Sequence, residues 1–226
     1  MKPQLPKEFE EMIKKRHEIL LKKYLISKKK KIYKIDQYKI VVYPDVFPPF
    51  DDSLFFYKFL KKLKNPGRAL DIGTGSGILS LGMQKKAKSI VSSDINKKAI
   101  KSLKETIKLN KIKNIEPRYS NIFSKINERF GTIVFNAPFM YFKPKNMLER
   151  AICDENYRDL EKFLKQVKKH LTKKGKIYLA FSNIGDTNYL RKLIKNNKLK
   201  TKLLSKKKAF PISGMNKLFY YIYEIR

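Results

Sequence analysis

Two short stretches of this chain carry residues whose types and spacing can do chemistry. The first is Asp71-Ile72-Gly73-Thr74-Gly75-Ser76-Gly77, between a short apolar run and a helical pattern. Glycines at such a turn permit positive φ and let the backbone come close to a ligand. The start of the following helix adds free N–H groups. A dinucleotide site would require G-x-G-x-x-G, but here the sixth position is Ile78 and the third glycine comes one residue early. Asp71, at the strand end, would also repel a pyrophosphate. It suits a cationic ligand such as S-adenosyl-L-methionine, which carries an ammonium and a sulfonium. Asp94 follows Gly73 by 21 residues, at the end of the next extended run. Its carboxylate can accept hydrogen bonds from both hydroxyls of a ribose. Ile78 and Asp71 together argue against a nucleotide-dependent oxidoreductase.

The second stretch is Asn136-Ala137-Pro138-Phe139, which ends the apolar run Phe130 to Phe135. The side-chain oxygen of Asn136 can accept one N–H of an amine or amide, and a backbone carbonyl in the next residues can accept the other. The ring of Phe139 can stack on a flat group. Positioning of this kind contributes several kcal/mol to barrier reduction. A strong general base is not needed when the proton leaves after the nitrogen has become cationic.

The elements that must hold these stretches follow from periodicity. Leu5 to Lys30 reads as an amphipathic helix with Phe9, Ile13, Leu20 and Tyr24 on one side. Ile32 to Tyr43 is extended, with a hairpin turn at Asp36-Gln37. A proline-punctuated loop follows, and Ser53 is expected to cap a helix over Leu54 to Lys64. From Arg68 onward strands and helices alternate: strands at 69–72, 89–93, 115–119, 130–135 and 176–181, helices at 76–86, 96–110, 157–171 and 187–195. Two extended runs, near 199–204 and 217–225, are joined by Pro211 to Gly214 rather than by a helix, which predicts an antiparallel hairpin. Alternation of this kind predicts a mostly parallel sheet covered on both faces. Ligands of such sheets bind at the carboxyl ends of the strands near the topological switch point, so the two stretches should meet.

From about Val42 to the C-terminus the chain resembles the class I S-adenosylmethionine-dependent methyltransferases. Within them it resembles the group with an N-P-P-Y type motif: HemK-like release-factor glutamine methyltransferases, RNA methyltransferases with a small methyltransferase domain, and amino-methylating DNA enzymes. The resemblance implies a Rossmann-like α/β fold, doubly wound, with seven strands of which the last is antiparallel. It implies that Asp71, Gly73, Gly75 and Gly77 hold the methionine part of the cofactor and Asp94 the ribose. Asn121, in Ser120-Asn121-Ile122-Phe123, then stands beside the adenine. It places Asn136, Pro138 and Phe139 at the methyl acceptor, and Val46 to Ser53 along the cofactor or substrate cleft. Two positions depart from the motif. Ala137 replaces the first proline, so φ is not locked there, and Phe139 replaces the tyrosine and lacks its hydroxyl. The expected division is a helix-and-hairpin extension over 1–43 and a methyltransferase domain over 44–226. The extension is short beside the helical substrate domain of HemK-like enzymes.

Composition bounds the rest. Lys and Arg number 53 against 20 Asp and Glu, giving a net charge of +33. That could be a footprint for RNA. Only eight of the 53 are Arg, however, and a lysine-rich bias of this kind also follows from an AT-rich coding sequence. One cysteine, Cys153, excludes an internal disulfide and a cysteine metal cluster and fits a reducing cytoplasm. His17 and His170 are the only histidines, so neither a His metal site nor a Ser-His-Asp triad is expected. No secretory leader or membrane span is expected either. The expected acceptor is an RNA base amine or a protein glutamine amide of the translation machinery. The alternative is a non-catalytic RNA-binding module on a degenerate methyltransferase fold.

Overall fold

The computed structural model describes residues 2–21, 28–209 and 217–226. A seven-stranded sheet is built from β3 (Arg68–Ile72), β4 (Ser89–Asp94), β5 (Ile115–Tyr119), β6 (Phe130–Asn136), β7 (Leu171–Ser182), β8 (Thr201–Lys208) and β9 (Phe219–Ile225). Its order is β5-β4-β3-β6-β7-β9-β8. The five strands from β3 to β7 pair in parallel, while β9 runs antiparallel to both β7 and β8. This is the doubly wound, seven-stranded arrangement that the alternation and the resemblance imply. The chain order reverses between β3 and β6, which pair directly from Ala69↔Thr132 to Ile72↔Phe135. The switch point therefore lies between the strands that end in the two chemical stretches.

Apolar side chains cover both faces of the sheet. One core contains Leu70, Ile133, Phe163 and Phe181 under α5 (Arg158–Gln166) and α6 (Thr187–Asn196). The other contains Ala69, Val134 and Tyr178 under α2 (Asp51–Leu60), α3 (Ile78–Met83) and α4 (Lys97–Leu109). Several boundaries differ from the sequence reading. Helix α2 begins at Asp51, and Ser53 sits inside its first turn, where its hydroxyl accepts the Phe50 N–H at 2.9 Å. The expected turn at Lys174-Gly175 lies within β7 and is accommodated by a register shift against β6 between Phe130 and Thr132. Helix α1 spans Lys7–Leu20 rather than reaching Lys30. Tyr24 and the Pro211 to Gly214 connection lie outside the described residues.

The amino-terminal elements dock on the sheet domain by different means. Helix α1 inserts Ile13, 1% exposed, among Met140, Ile184, Leu218 and Tyr220. It is tied down by the Tyr141 hydroxyl, which donates to Glu10 at 2.6 Å and accepts the Leu5 N–H at 3.2 Å. The hairpin of β1 (Lys31–Ile35) and β2 (Tyr38–Val42) buries Tyr38, Ile40 and Val42 in the second core and adds a set of polar contacts. The outward N–H groups of Lys39, Val41 and Tyr43 are accepted by Asn110, Thr106 and Ser102 at 3.0, 2.9 and 3.0 Å. Two residues of strand rise about 6.6 Å and four of helix about 6.0 Å, so a polar side chain every fourth helical position can meet every second N–H of an antiparallel edge. Ser102 and Thr106 are completely buried. Thr106→Val keeps shape and removes the acceptor from the buried Val41 N–H. The expected cost is about 1–3 kcal/mol of unfolding free energy, read as a lower urea midpoint with an unchanged slope.

Candidate active site

The glycine loop hangs on one buried carboxylate. Asp71 closes β3 with no solvent exposure. Its Oδ2 accepts the Thr74 hydroxyl at 2.7 Å, the Ser80 hydroxyl at 2.7 Å and the Ser80 N–H at 3.2 Å. The Thr74 N–H in turn reaches the Ser93 carbonyl at 2.9 Å, stitching the loop to β4. Gly73, Gly75 and Gly77 all take positive φ, 64°, 52° and 83°. Gly77 starts α3, and a Cβ there would come within 2.6 Å of Leu103 Cδ1, so its place is fixed by packing against α4. Burial pushes the Asp71 carboxyl up to about 6, opposed by the bonds from Ser80 and Thr74 and reinforced by nearby Asp94. Its other oxygen, Oδ1, is buried without a partner. Asp71 and Gly77 therefore lie behind the cleft wall rather than in it.

The cleft itself has a volume near 130 Å³ and is lined by Gly73, Gly75, Asp94, Asn121, Asn136 and Pro138 among others. Six of the nine residues singled out by sequence thus meet at one opening. Asp94 accepts the Gly75 N–H on Oδ2 at 2.8 Å and the Asn96 N–H on Oδ1 at 2.7 Å. Burial raises its pKa above the usual carboxylate range, and these backbone bonds oppose the shift. A carboxylate has about four acceptor positions, so two remain for vicinal hydroxyls. Phe47 and Pro48 from the proline-rich loop and Ser53 from the first turn of α2 also line it. Met147, Arg150 and Ala151 close another side, with Arg150 paired to Asp159 at 2.7 Å.

Asn136 ends β6 with its amide orientation set by a partner 84 residues away. Its Nδ2 donates to Asp52 Oδ2 at 2.7 Å, which leaves Oδ1 buried and unpartnered. Asp52 is 8% exposed at the start of α2, and burial raises its pKa while the Asn136 bond opposes the rise. Asp52 also lines a second, smaller pocket near 60 Å³, together with Phe139, Tyr220, Phe50 and the α1 residues Ile13 and His17. Phe47 lines both cavities. Phe139 thus stands on the second pocket, not on the cleft. Its carbonyl accepts the Tyr157 hydroxyl at 2.6 Å, which leaves the carbonyls of Ala137 and Pro138 as the nearer candidates for an incoming N–H. Gly185 makes this approach possible, since a Cβ there would fall 1.9 Å from the Phe139 oxygen.

The methyltransferase small domain family model matches residues 50–212. The chain belongs to that family. A putative protein N5-glutamine methyltransferase of Methanocaldococcus jannaschii is 31% identical over 170 residues, covering 72% of this chain and 85% of the relative. A release factor glutamine methyltransferase of Buchnera aphidicola is 33% identical over 153 residues, but the match spans 55% of that protein and 62% of this one. Among solved structures, the Thermus thermophilus 16S rRNA N2 G1207 methyltransferase in complex with AdoMet and guanosine superposes with a TM-score of 0.63. The identity there is 17%, covering 87% of this chain and 49% of that one, so the likeness is one of fold. Like the rest of the family, this chain is an S-adenosylmethionine-dependent methyltransferase.

Sequence reasoning did not find Asp52 as the partner of Asn136, nor Arg150 in the cleft wall, nor His17 on the second pocket. Only the Val46 to Ser53 resemblance pointed toward the first. Among the described residues no group of three or more His, Cys, Asp or Glu side chains could hold a metal ion, and no helix is long and apolar enough to cross a membrane.

The raised Asp71 pKa has a definite sign in stability. The folded state holds the proton up to about pH 6, and the unfolded chain releases it near 3.8. The contribution favours folding below pH 4 and is lost as pH rises through 6. Asp71→Asn removes that loss. The melting temperature of the variant relative to the native protein should rise between pH 4 and 6.5 and then level off. A flat difference would contradict the assignment.

Proposed function

We propose that this chain transfers the methyl group of S-adenosylmethionine to a nitrogen, and that the nitrogen belongs to a protein glutamine carboxamide. The observation that carries the first part is Asn136: a residue of the cleft whose side-chain oxygen is buried without a partner while its Nδ2 is held by Asp52, a residue of the second pocket. In this reading Gly73 and Gly75 pass the backbone along the methionine part, Asp94 holds the ribose, and Asn121 stands by the adenine. Asp71 and Gly77 keep that loop in shape. The cofactor, when bound, supplies an electrophilic methyl on a sulfonium. Asn136 Oδ1 accepts one N–H of the acceptor, a carbonyl of Ala137 or Pro138 accepts the other, and the nitrogen lone pair is turned toward the cleft. Phe139 covers the flat face of the acceptor from the second pocket. The missing tyrosine hydroxyl of the motif costs nothing in this arrangement, because the ring does the stacking.

A glutamine amide is favoured by the lining of the second pocket, which among the described residues is largely apolar and aromatic with no Lys or Arg. The two relatives named above are glutamine methyltransferases by name. An RNA base amine is the second reading, favoured by the net charge of +33. We take residues 1–43 as the extension that meets the acceptor and 44–226 as the domain that holds the cofactor.

Calorimetry and a transfer assay separate these roles. Asp94→Ala should weaken S-adenosylmethionine binding at least about tenfold, the loss of charge-assisted bonds to two hydroxyls. Asn136→Ala should leave that affinity within about twofold and lower methyl transfer into cell protein by about 100-fold or more. Equal losses of affinity in both variants would refute the division of labour. Salt dependence decides between acceptors. Acceptor binding that weakens steeply on a log–log plot counts phosphate contacts and supports RNA. A shallow slope supports the protein amide.

A further inference from the structure

The second pocket has one wall that no part of the methyltransferase sheet supplies. Helix α1 places Ile13 and His17 there, on the same pocket as Phe139 and Asp52. His17 is far from an ordinary surface histidine. Its side chain is 11% exposed, and its Nδ1 is buried with no hydrogen-bond partner. Leaving a buried ring nitrogen unpaired costs free energy, and a ligand that donates to it recovers that cost on binding.

The surroundings determine what that nitrogen can do. Nε2 lies 4.0 Å from Glu149 Oε1, and the Glu149 side chain is itself 7% exposed. The remaining Glu149 oxygen accepts the Lys145 N–H at 2.7 Å, so this carboxylate is fixed in place. Burial holds the His17 pKa below its ordinary value, against the pull of Glu149 and Glu18, and Lys145 adds to the depression. A neutral imidazole carries one proton, and the carboxylate draws it to Nε2. Nδ1 is then a bare lone pair, an acceptor and not a donor. On the cleft side of Asp52, Asn136 offers a second orphaned acceptor, Oδ1. A bare acceptor on a small, largely apolar pocket matches a group rich in N–H and poor in anionic charge, as a primary carboxamide is.

We propose that His17 is a positioning residue of the acceptor site: its Nδ1 accepts a hydrogen bond from the substrate carboxamide or from the peptide N–H beside it, and α1 thereby completes the acceptor pocket. This rests on the reading of the second pocket as the acceptor's place. Among the described residues none of α1 lines the cofactor cleft, so loss of His17 should act on acceptor affinity alone. Segment 145–151 couples the two regions, with Glu149 against His17 and Met147, Arg150 and Ala151 on the cofactor side.

The chain has only two histidines, so nitrogen NMR of the imidazoles reads His17 directly, with His17→Phe as the assignment control. The protein is saturated with S-adenosylhomocysteine and titrated with N-acetylglutamine methylamide. The His17 ring should show the Nε2–H tautomer before addition, and its Nδ1 signal should move upfield as the amide binds. His17→Phe should bind the amide about tenfold more weakly with unchanged S-adenosylhomocysteine affinity, the loss of one hydrogen bond to a buried acceptor. His17→Asn, whose amide oxygen can stand in for Nδ1, should recover most of that loss. The proposal is overturned by an Nδ1 signal that ignores the bound amide, or by His17→Phe binding it as tightly as the native chain. It is equally overturned if guanosine moves the Nδ1 signal and the amide does not. If S-adenosylhomocysteine itself fails to bind the native chain, the reading of the cleft has failed and not that of His17. If it binds but the amide leaves the side-chain signals of both Asn136 and His17 unmoved, the acceptor reading fails together with the proposal.

Discussion

The Asp71 carboxylate is the point on which this structure turns. Burying a carboxyl away from water is costly, and hydrogen bonds to it offset part of that cost. Here one oxygen gathers a hydroxyl from the glycine loop and both a hydroxyl and an N–H from α3. The Ser80 hydroxyl lies 2.6 Å from that of Ser92, and Ser93 donates to the Asp71 carbonyl at 3.3 Å, so β4 joins the same network. Strand, loop, helix and neighbouring strand are thereby fixed relative to one another by polar contacts inside an apolar core. The loop's positive-φ glycines give it a shape, and Asp71 gives it a place. Asp94, one strand over, then finds the Gly75 N–H within reach and stands ready at the cleft.

A second carboxylate, Asp52, repeats the device on the acceptor side. Its bond to Asn136 decides which end of the amide is left over for chemistry. The active region of this very basic protein is therefore organised by acids. The lysines lie largely outside it, and Arg150, the one basic side chain among the described residues lining the cleft, is paired with Asp159. A local preference for cations within a strongly positive molecule suits a sulfonium and an ammonium.

The sheet, its order around the switch point and the two chemical stretches were legible in the residues, because apolar periodicity and glycine spacing are local signals. Six of the nine residues picked by type and position line one cleft. What the sequence hid were partnerships over long separations. Nothing near Asp52 names Asn136. Nothing near Ser102, Thr106 and Asn110 says that this polar stripe serves the edge of a hairpin 60 to 70 residues earlier. His17 reads as one more polar position on a lysine-rich helix until the fold puts Glu149 and Phe139 around it. The helix start at Asp51 was misplaced for a smaller reason. Ser53 does bond the helix terminus, but from within the first turn instead of from the capping position.

The last strand of the chain is not at the edge of the sheet. β9 lies between β7 and β8, and β8 has no other neighbour in the sheet. During synthesis, β8 is therefore made before the strand that will anchor it, and β7 keeps an open edge until β9 arrives. The sheet closes only once β9 is in place, so a nascent chain halted between β8 and β9 would hold a complete glycine loop beside a sheet still open.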